Sequence, residues 1–233
     1  VEGGWHVPTW PTQHGGRGAS PSQNALIGRL LREFVVPDLY PFAIGLGMVG
    51  PALLAHGTES QQDEWLRPIA SGASIWCQMF SEPEAGSDLA NQQTFAEKDG
   101  DNWVINGHKV WTSLAHFADW MILLCRTDKS DKYNGLSYFA VPIKAALGKG
   151  VTVQPLIKMT GQTGFNEVLF DNLVISDRYR MDDVGAGWKV PVSPLSIGPV
   201  QLVQVPVLKA AGGRIGISGT QGPLPHHLEL QFE

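Results

Sequence analysis

Apolar positions along this chain change their spacing twice, dividing it into three stretches. From Ser20 onward, Leu26, Ile27, Leu30, Leu31 and Phe34 recur at helical spacing. Ser20 caps this helix, Pro21 suits its first turn, Gln23 completes a capping box, and Pro37 stops it. The run from Leu39 to His56 has no charged side chain before its terminal His. Its length is borderline for a membrane span, but Pro41, Pro51, the glycines and uncharged flanks favour a buried helix. Thr58 with Gln61 forms a second capping box ahead of "DEWLRPIASG", which Pro68 and Gly72 bring to an end. Residues 20–72 are therefore expected to be helical.

From Ser74 the texture is that of strands: "SIWCQMF", "NWVING", "WMILLCR", "LSYFAVP", "VTVQPL" and "NEVLFDNLVI" recur between turn signals. Their spacing predicts an antiparallel β-barrel or sandwich, and hence an α+β chain with a boundary near Gly72. From Val190 the chain becomes rich in Pro and Gly, with "VQLVQVPVL" its one candidate strand. The expected division is a partial N-terminal helical domain (1–73), a β-domain (74–189) and an irregular tail (190–233).

Net charge is −5 without a basic run, which argues against nucleic acid or an anionic membrane as partner. Cys77 and Cys125 have neither metal nor redox spacing and read as buried free thiols in a reducing compartment, the cytoplasm by default. No signal-peptide pattern opens the sequence. His108 and His116 lack a third ligand and read as surface or turn residues rather than a metal pair.

The candidate chemistry lies in two stretches. "QMFSEPEAGSDLAN" (78–91) is a loop by virtue of Pro83 and Gly86, and it leaves a strand carrying Ser81, Ser87, Glu82, Glu84 and Asp88. Hydroxyls and free backbone N–H groups there suit the edge of a flat heteroaromatic ring. In "NGHKVWTSLAHFADW", Trp111 can lie against the ring face while Thr112 or Ser113 reaches a ring nitrogen. From the residues alone, Trp111 as a core residue and Ser113 as a strand end is the favoured reading, because the spacing by itself is weak. Glu82, Glu84 and Asp88 read as solvated or capping carboxylates.

"EPEAGSDLA" followed by "INGHKVWTS" resembles the acyl-CoA dehydrogenase family, and the likeness extends through "WPTQHGGRG", "WLRPIASG", "FNEVLFDNLVISD" and "GWKV", over about residues 5–190. The resemblance implies FAD enclosed by a helical domain, a middle β-domain and a C-terminal helical bundle. It implies that Gln78, Phe80 and Ser81 run along the flavin edge and that Gly86 and Ser87 meet the flavin and the start of the CoA chain. Trp111 would cover the ring, with Thr112 beside it and Ser113 near N5. Gln78 stands where the family often has an aromatic, and Ser81 and Ser113 replace commoner threonines while keeping the hydroxyl.

The reaction so implied is α,β-dehydrogenation of an acyl-CoA thioester, with an electron-transfer flavoprotein as acceptor and a homo- or hetero-oligomeric assembly. A glutamate of the bundle is the family's base. No resemblance extends past Val190, and the tail has no acidic residue before Glu229, so this chain is expected to lack that base and to be impaired alone, as a truncated or frameshifted copy. The alternatives are a non-catalytic remnant or interaction protein retaining the β-domain, and a relative that reacts with oxygen.

Overall fold

The computed structural model describes residues 3–34 and 38–190, which lie within one compact unit. The tail from 191, with the strand expected in it, and Pro37 lie outside the described residues.

Helix α1 spans Pro21–Leu31, and Ser20 and Gln23 form the expected reciprocal capping box, as Thr58 and Gln61 do for α3 (Glu59–Ser71). Both are local hydrogen-bond exchanges, which is why they are legible without knowing the fold. Gly72 ends α3 in the left-handed conformation with φ 70°. Pro68 does not end it, because the helix runs on through that residue to Ser71. Along the apolar stripe of α1 and the turn after it, Leu26, Leu30, Leu31 and Phe34 are exposed and Ile27 is half-buried.

The uncharged segment after Leu39 folds into the protein, as a 3-10 turn (Tyr40–Phe42), a π-helical stretch (Gly45–Val49) and α2 (Gly50–His56). No helix among the described residues is long and apolar enough to cross a membrane. Its glycines admit neighbours: a Cβ at Gly50 would lie 1.9 Å from Cζ2 of the buried Trp10 ring. The turn that carries Trp10 is closed by Gly16 and Gly18 N–H groups donating to the Pro11 and Trp10 carbonyls.

Eight strands follow among the described residues: β1 (Trp76–Met79), β2 (Phe95–Asp99), β3 (Asn102–Ser113), β4 (Trp120–Arg126), β5 (Leu136–Pro142), β6 (Val151–Leu156), β7 (Phe165–Ser176) and β8 (Arg180–Met181), with a short helix α4 (Ile143–Ala146) after β5. They form one sheet in the order β6-β7-β3-β2-β4-β5-β8, with β1 also paired to β4. The α+β class stands, but the sheet is mixed: β1 and β2 both pair with β4 in parallel. Strand β2 carries charges along its exposed side and lacks the apolar run that marked the others.

Side chains alternate across β4 and β5 between two cores. Met121, Leu123, Cys125, Phe139 and Val141 join Trp103, Ile105, Val168 and Phe170. Ile122, Leu124, Tyr138 and Ala140 join Leu53, Trp65, Leu66 and Ile69 of the helices. Trp103 of β3 meets Phe139 of β5 at 5.6 Å, although two strands separate them in the sheet, so the sheet curls over its first core. Cys77 and Cys125 are free and buried, as expected.

Candidate functional site

Both candidate stretches leave the sheet at one place. Strand β1 pairs with β4 from Trp76↔Trp120 to Met79↔Leu123, and β2 meets the same edge only at Phe95↔Arg126. The loop between them, Phe80 to Thr94, is an excursion from that edge. Within it, Glu82 and Ala85 exchange backbone hydrogen bonds of 2.9 and 3.2 Å, closing a tight turn over Pro83 and Glu84. The Val110 N–H donates to the Ser81 carbonyl at 2.9 Å, which sets the loop beside the end of β3.

At that end β3 loses its register with β7 between Lys109 and Thr112, and Trp111 takes φ 60°. Leu114 follows with φ 68°. Bulky residues rarely adopt this left-handed region, which costs about 1–2 kcal/mol, and such strain is held where surroundings over-determine it. The turn leaves the Trp111 indole 60% exposed, touching Phe165 edge-on at 5.8 Å.

The structure sorts the expected site residues by what each offers. Gln78, Ser81 and Ser113 are half-buried, and Gly86, Ser87 and Trp111 are exposed. Space is open around Gly86. Among the described residues, no protein group hydrogen-bonds the side chains of Gln78, Ser81, Ser87 or Ser113. Phe80 and Thr112 are different. The Phe80 ring is buried against Tyr138, and the Thr112 hydroxyl, buried, faces Met79 Sδ at 3.5 Å while the Asn166 amide takes its carbonyl at 2.9 Å. Phe80 packs in the helix-side core and Thr112 against Met79 of the other, so neither side chain is open to solvent.

Glu82 departs from expectation. It caps, accepting the Gln93 and Thr94 backbone N–H groups at 2.6 and 3.0 Å, but it is not solvated: its side chain is 3% exposed and pairs at 2.7 Å with the fully buried Lys109 ammonium. Lys109 also donates to the carbonyls of Phe80 (3.2 Å) and Leu124 (2.7 Å) and to Gln92 Oε1. Burial would raise the Glu82 carboxyl, but Lys109 and the Gln93 N–H outweigh it and hold it below its ordinary value. Burial pulls the Lys109 ammonium down, partly offset by Glu82.

Sequence reasoning missed Lys109, Gln92 and Arg126, whose guanidinium donates to the Ala90 and Gln92 carbonyls at 2.7 and 3.0 Å. The available signal was a lysine in a strand whose alternation a bulge displaces at Gly107, where a Cβ would lie 2.4 Å from Thr94 Oγ1.

Asp88, exposed, pairs with Lys132 at 2.8 Å. His108 lies 2.5 Å from Glu167, His116 faces Asn166, and no metal-binding group of three or more His, Cys, Asp or Glu occurs among the described residues. At the other end of β1, Asp119 accepts the Ile75 N–H at 2.8 Å and pairs with Lys144 at 2.6 Å, a structural role.

A family model described as "Acyl-CoA dehydrogenase, N-terminal domain" matches residues 1–73, and one described as "Acyl-CoA dehydrogenase, middle domain" matches residues 77–173. The chain belongs to the acyl-CoA dehydrogenase family. Acyl-CoA dehydrogenase IpdE1 of Mycobacterium tuberculosis is 43% identical over 188 residues, covering 80% of this chain and 48% of that protein. The solved Tcur3481-Tcur3483 steroid ACAD matches with TM-score 0.71 at 33% identity, covering 82% of this chain and 48% of the solved one. The ChsE4-ChsE5 complex from Mycobacterium tuberculosis matches with TM-score 0.68 at 33% identity, covering 83% and 49%. This member therefore spans about half the length of these proteins. Both expected site loops fall within the middle-domain match.

Proposed function

We propose that this chain supplies the flavin- and thioester-contacting part of an acyl-CoA dehydrogenase acting in the β-oxidation of fatty acyl or steroid-derived acyl chains. The observation that carries the reading is the strained, exposed Trp111 turn set against the Ser81 loop by the Val110–Ser81 hydrogen bond. The residues there fit FAD, offering an aromatic face with side-chain hydroxyls and an amide free of protein partners. Gln78, Ser81 and Ser113 would hold the ring edge, Trp111 its face, and Gly86 and Ser87 the side toward the CoA chain. When bound, FAD supplies the acceptor for the β hydrogen as hydride.

The chain's own residues position and shield. Phe80 and Thr112 are buried on the two sides of the strands that carry these loops, and anchor them rather than offering contacts of their own. The α proton needs a base, and the loop carboxylates do not provide one: Glu82 is buried in its ion pair, Asp88 is paired to Lys132, and Glu84 stands exposed on the turn. We assign the base outside residues 3–34 and 38–190. An electron-transfer flavoprotein is the proposed acceptor, and a homo- or hetero-oligomer the proposed assembly. The exposed α1 stripe favours a second reading, a binding protein that keeps this β-domain without turnover.

The test is anaerobic titration of the FAD-loaded chain with fatty acyl-CoA and steroid-derived acyl-CoA thioesters. The expected result is a perturbed visible flavin band, followed by bleaching once a base-bearing segment is present. A flavin band insensitive to saturating thioester of both kinds overturns the dehydrogenase reading and leaves the second.

A further inference from the structure

We infer that Lys109, clamped by Glu82 and Gln92, is a positioning residue that fixes the spacing between the Ser81 loop and the Trp111 turn. The inference rests on the flavin reading of that face. Its basis is the gap in the edge of β4. After Met79↔Leu123 strand β1 leaves, and β2 arrives only at Arg126, so the Leu124 carbonyl has no strand partner on this edge. A buried carbonyl left unpaired is costly. Lys109 fills the gap from β3, donating to Leu124 at 2.7 Å and to the Phe80 carbonyl at 3.2 Å, where β1 ends.

Its place along β3 gives this contact leverage. Lys109 is the last residue in register with β7 (Lys109↔Val168) before the break that presents Trp111. Its neighbour Val110 holds the Ser81 carbonyl, so the ammonium and the next backbone N–H grip consecutive carbonyls, Phe80 and Ser81. The far end of the loop is tied to the same point. Gln92 accepts from Lys109 while its amide donates to Phe80 and Leu89 carbonyls at 3.0 and 2.9 Å, and Arg126 holds the Gln92 and Ala90 carbonyls.

Stability alone does not explain a charge here. Replacing a buried ion pair by apolar residues of similar volume is often neutral or stabilising, whereas removing one partner is costly. A methionine fills the volume of Lys109 without holding either carbonyl. The pair therefore serves geometry, as the outer partners of a ligand site do.

The test compares the full chain as wild type, Lys109→Met, and the double variant Glu82→Gln/Lys109→Met. Urea unfolding reads stability; an FAD titration and the visible circular dichroism of bound FAD read the site. Lys109→Met unfolds at lower urea, and the double variant recovers the part of that loss due to the unpaired Glu82 charge, while the Leu124 carbonyl stays unpaired in both. The double variant's FAD Kd nonetheless rises on the order of tenfold and the flavin dichroism changes. A double variant with wild-type dichroism and a Kd within about twofold overturns the inference. If the Lys109 variants do not fold, Gln92→Leu keeps the ion pair and removes one clamp; unchanged dichroism and Kd there overturn it equally. A wild-type chain that binds no FAD is a failure of the flavin reading instead. In that case amide exchange at residues 110–113 decides: faster exchange in Gln92→Leu supports the positioning role, and unchanged exchange overturns it.

Discussion

Replacing Trp111 by glycine and by alanine separates backbone strain from side-chain packing. At an ordinary strand position glycine is less stable than alanine by roughly 0.5–1 kcal/mol, because it loses more conformational freedom on folding. At Trp111 φ is 60°, where a Cβ costs about 1–2 kcal/mol. Taken at the midpoints of these ranges, the difference reverses the order: Trp111→Gly should be more stable than Trp111→Ala by about 0.8 kcal/mol. For a chain of this size that is about 2–3 °C in Tm. Both variants lose the same indole, which is 60% exposed. About 100 Å² of it is hidden, worth up to about 2.5 kcal/mol, with the Phe165 edge contact adding about 0.5–1 kcal/mol. Relief of strain offsets part of this in the glycine variant only. The assay is paired urea and thermal unfolding of both variants with an FAD titration of each. FAD affinity should fall alike in the two, since both lack the ring. Alanine as stable as glycine, or more so, would refute a strained Trp111, and undiminished FAD affinity in both would refute its contact with the ring.

Three further outcomes follow from the packing. Gly50→Ala should destabilise by about 1–3 kcal/mol, because its Cβ would sit 1.9 Å from the Trp10 ring; urea unfolding followed by tryptophan fluorescence checks it. Asp177 is held below the ordinary carboxylate range chiefly by hydrogen bonds from Arg180, with burial the next effect and opposing it, and Trp103 and Lys98 then adding to the lowering. Its folded value lies below its unfolded one, so its contribution is present above about pH 3.9 and fades as pH falls below that. Stability curves of wild type and Asp177→Asn should accordingly converge on acidification, and parallel curves would contradict the assignment. Burial pushes the Cys125 thiol up to about 12, with Lys109 lowering it in part, and pushes Cys77 up as well. A thiol reagent at about pH 8 should therefore label the native chain on the order of a thousandfold more slowly than the urea-unfolded one. Rapid native labelling of either cysteine would show that its burial is wrong.

What could be read from the sequence was what is local. Ser20 with Gln23 and Thr58 with Gln61 each complete their box within four residues, and β4 and β5 are apolar on both faces because two cores flank them. Strand β2, "FAEKD", hid behind its charges, with Ala96 its one fully buried side chain. The parallel pairing of β1 with β4 joins Trp76 to Trp120 across a long stretch of chain, beyond the reach of turn signals. The site was legible as two motifs, but its mechanics were not. Trp111 carries no mark of a positive φ, which Gly or Asn would have signalled. Lys109 and Glu82 look like solvated charges until the bulge near Gly107 and the gap in the β4 edge bring them together.

The central claim is that one face, built by the loop after β1 and the turn ending β3, holds the flavin. Amide hydrogen exchange of the full chain with and without FAD tests it most directly. Slowed exchange confined to residues 78–91 and 110–114 is the predicted footprint. Protection elsewhere in the described residues, with these two segments unchanged at saturating FAD, would contradict it.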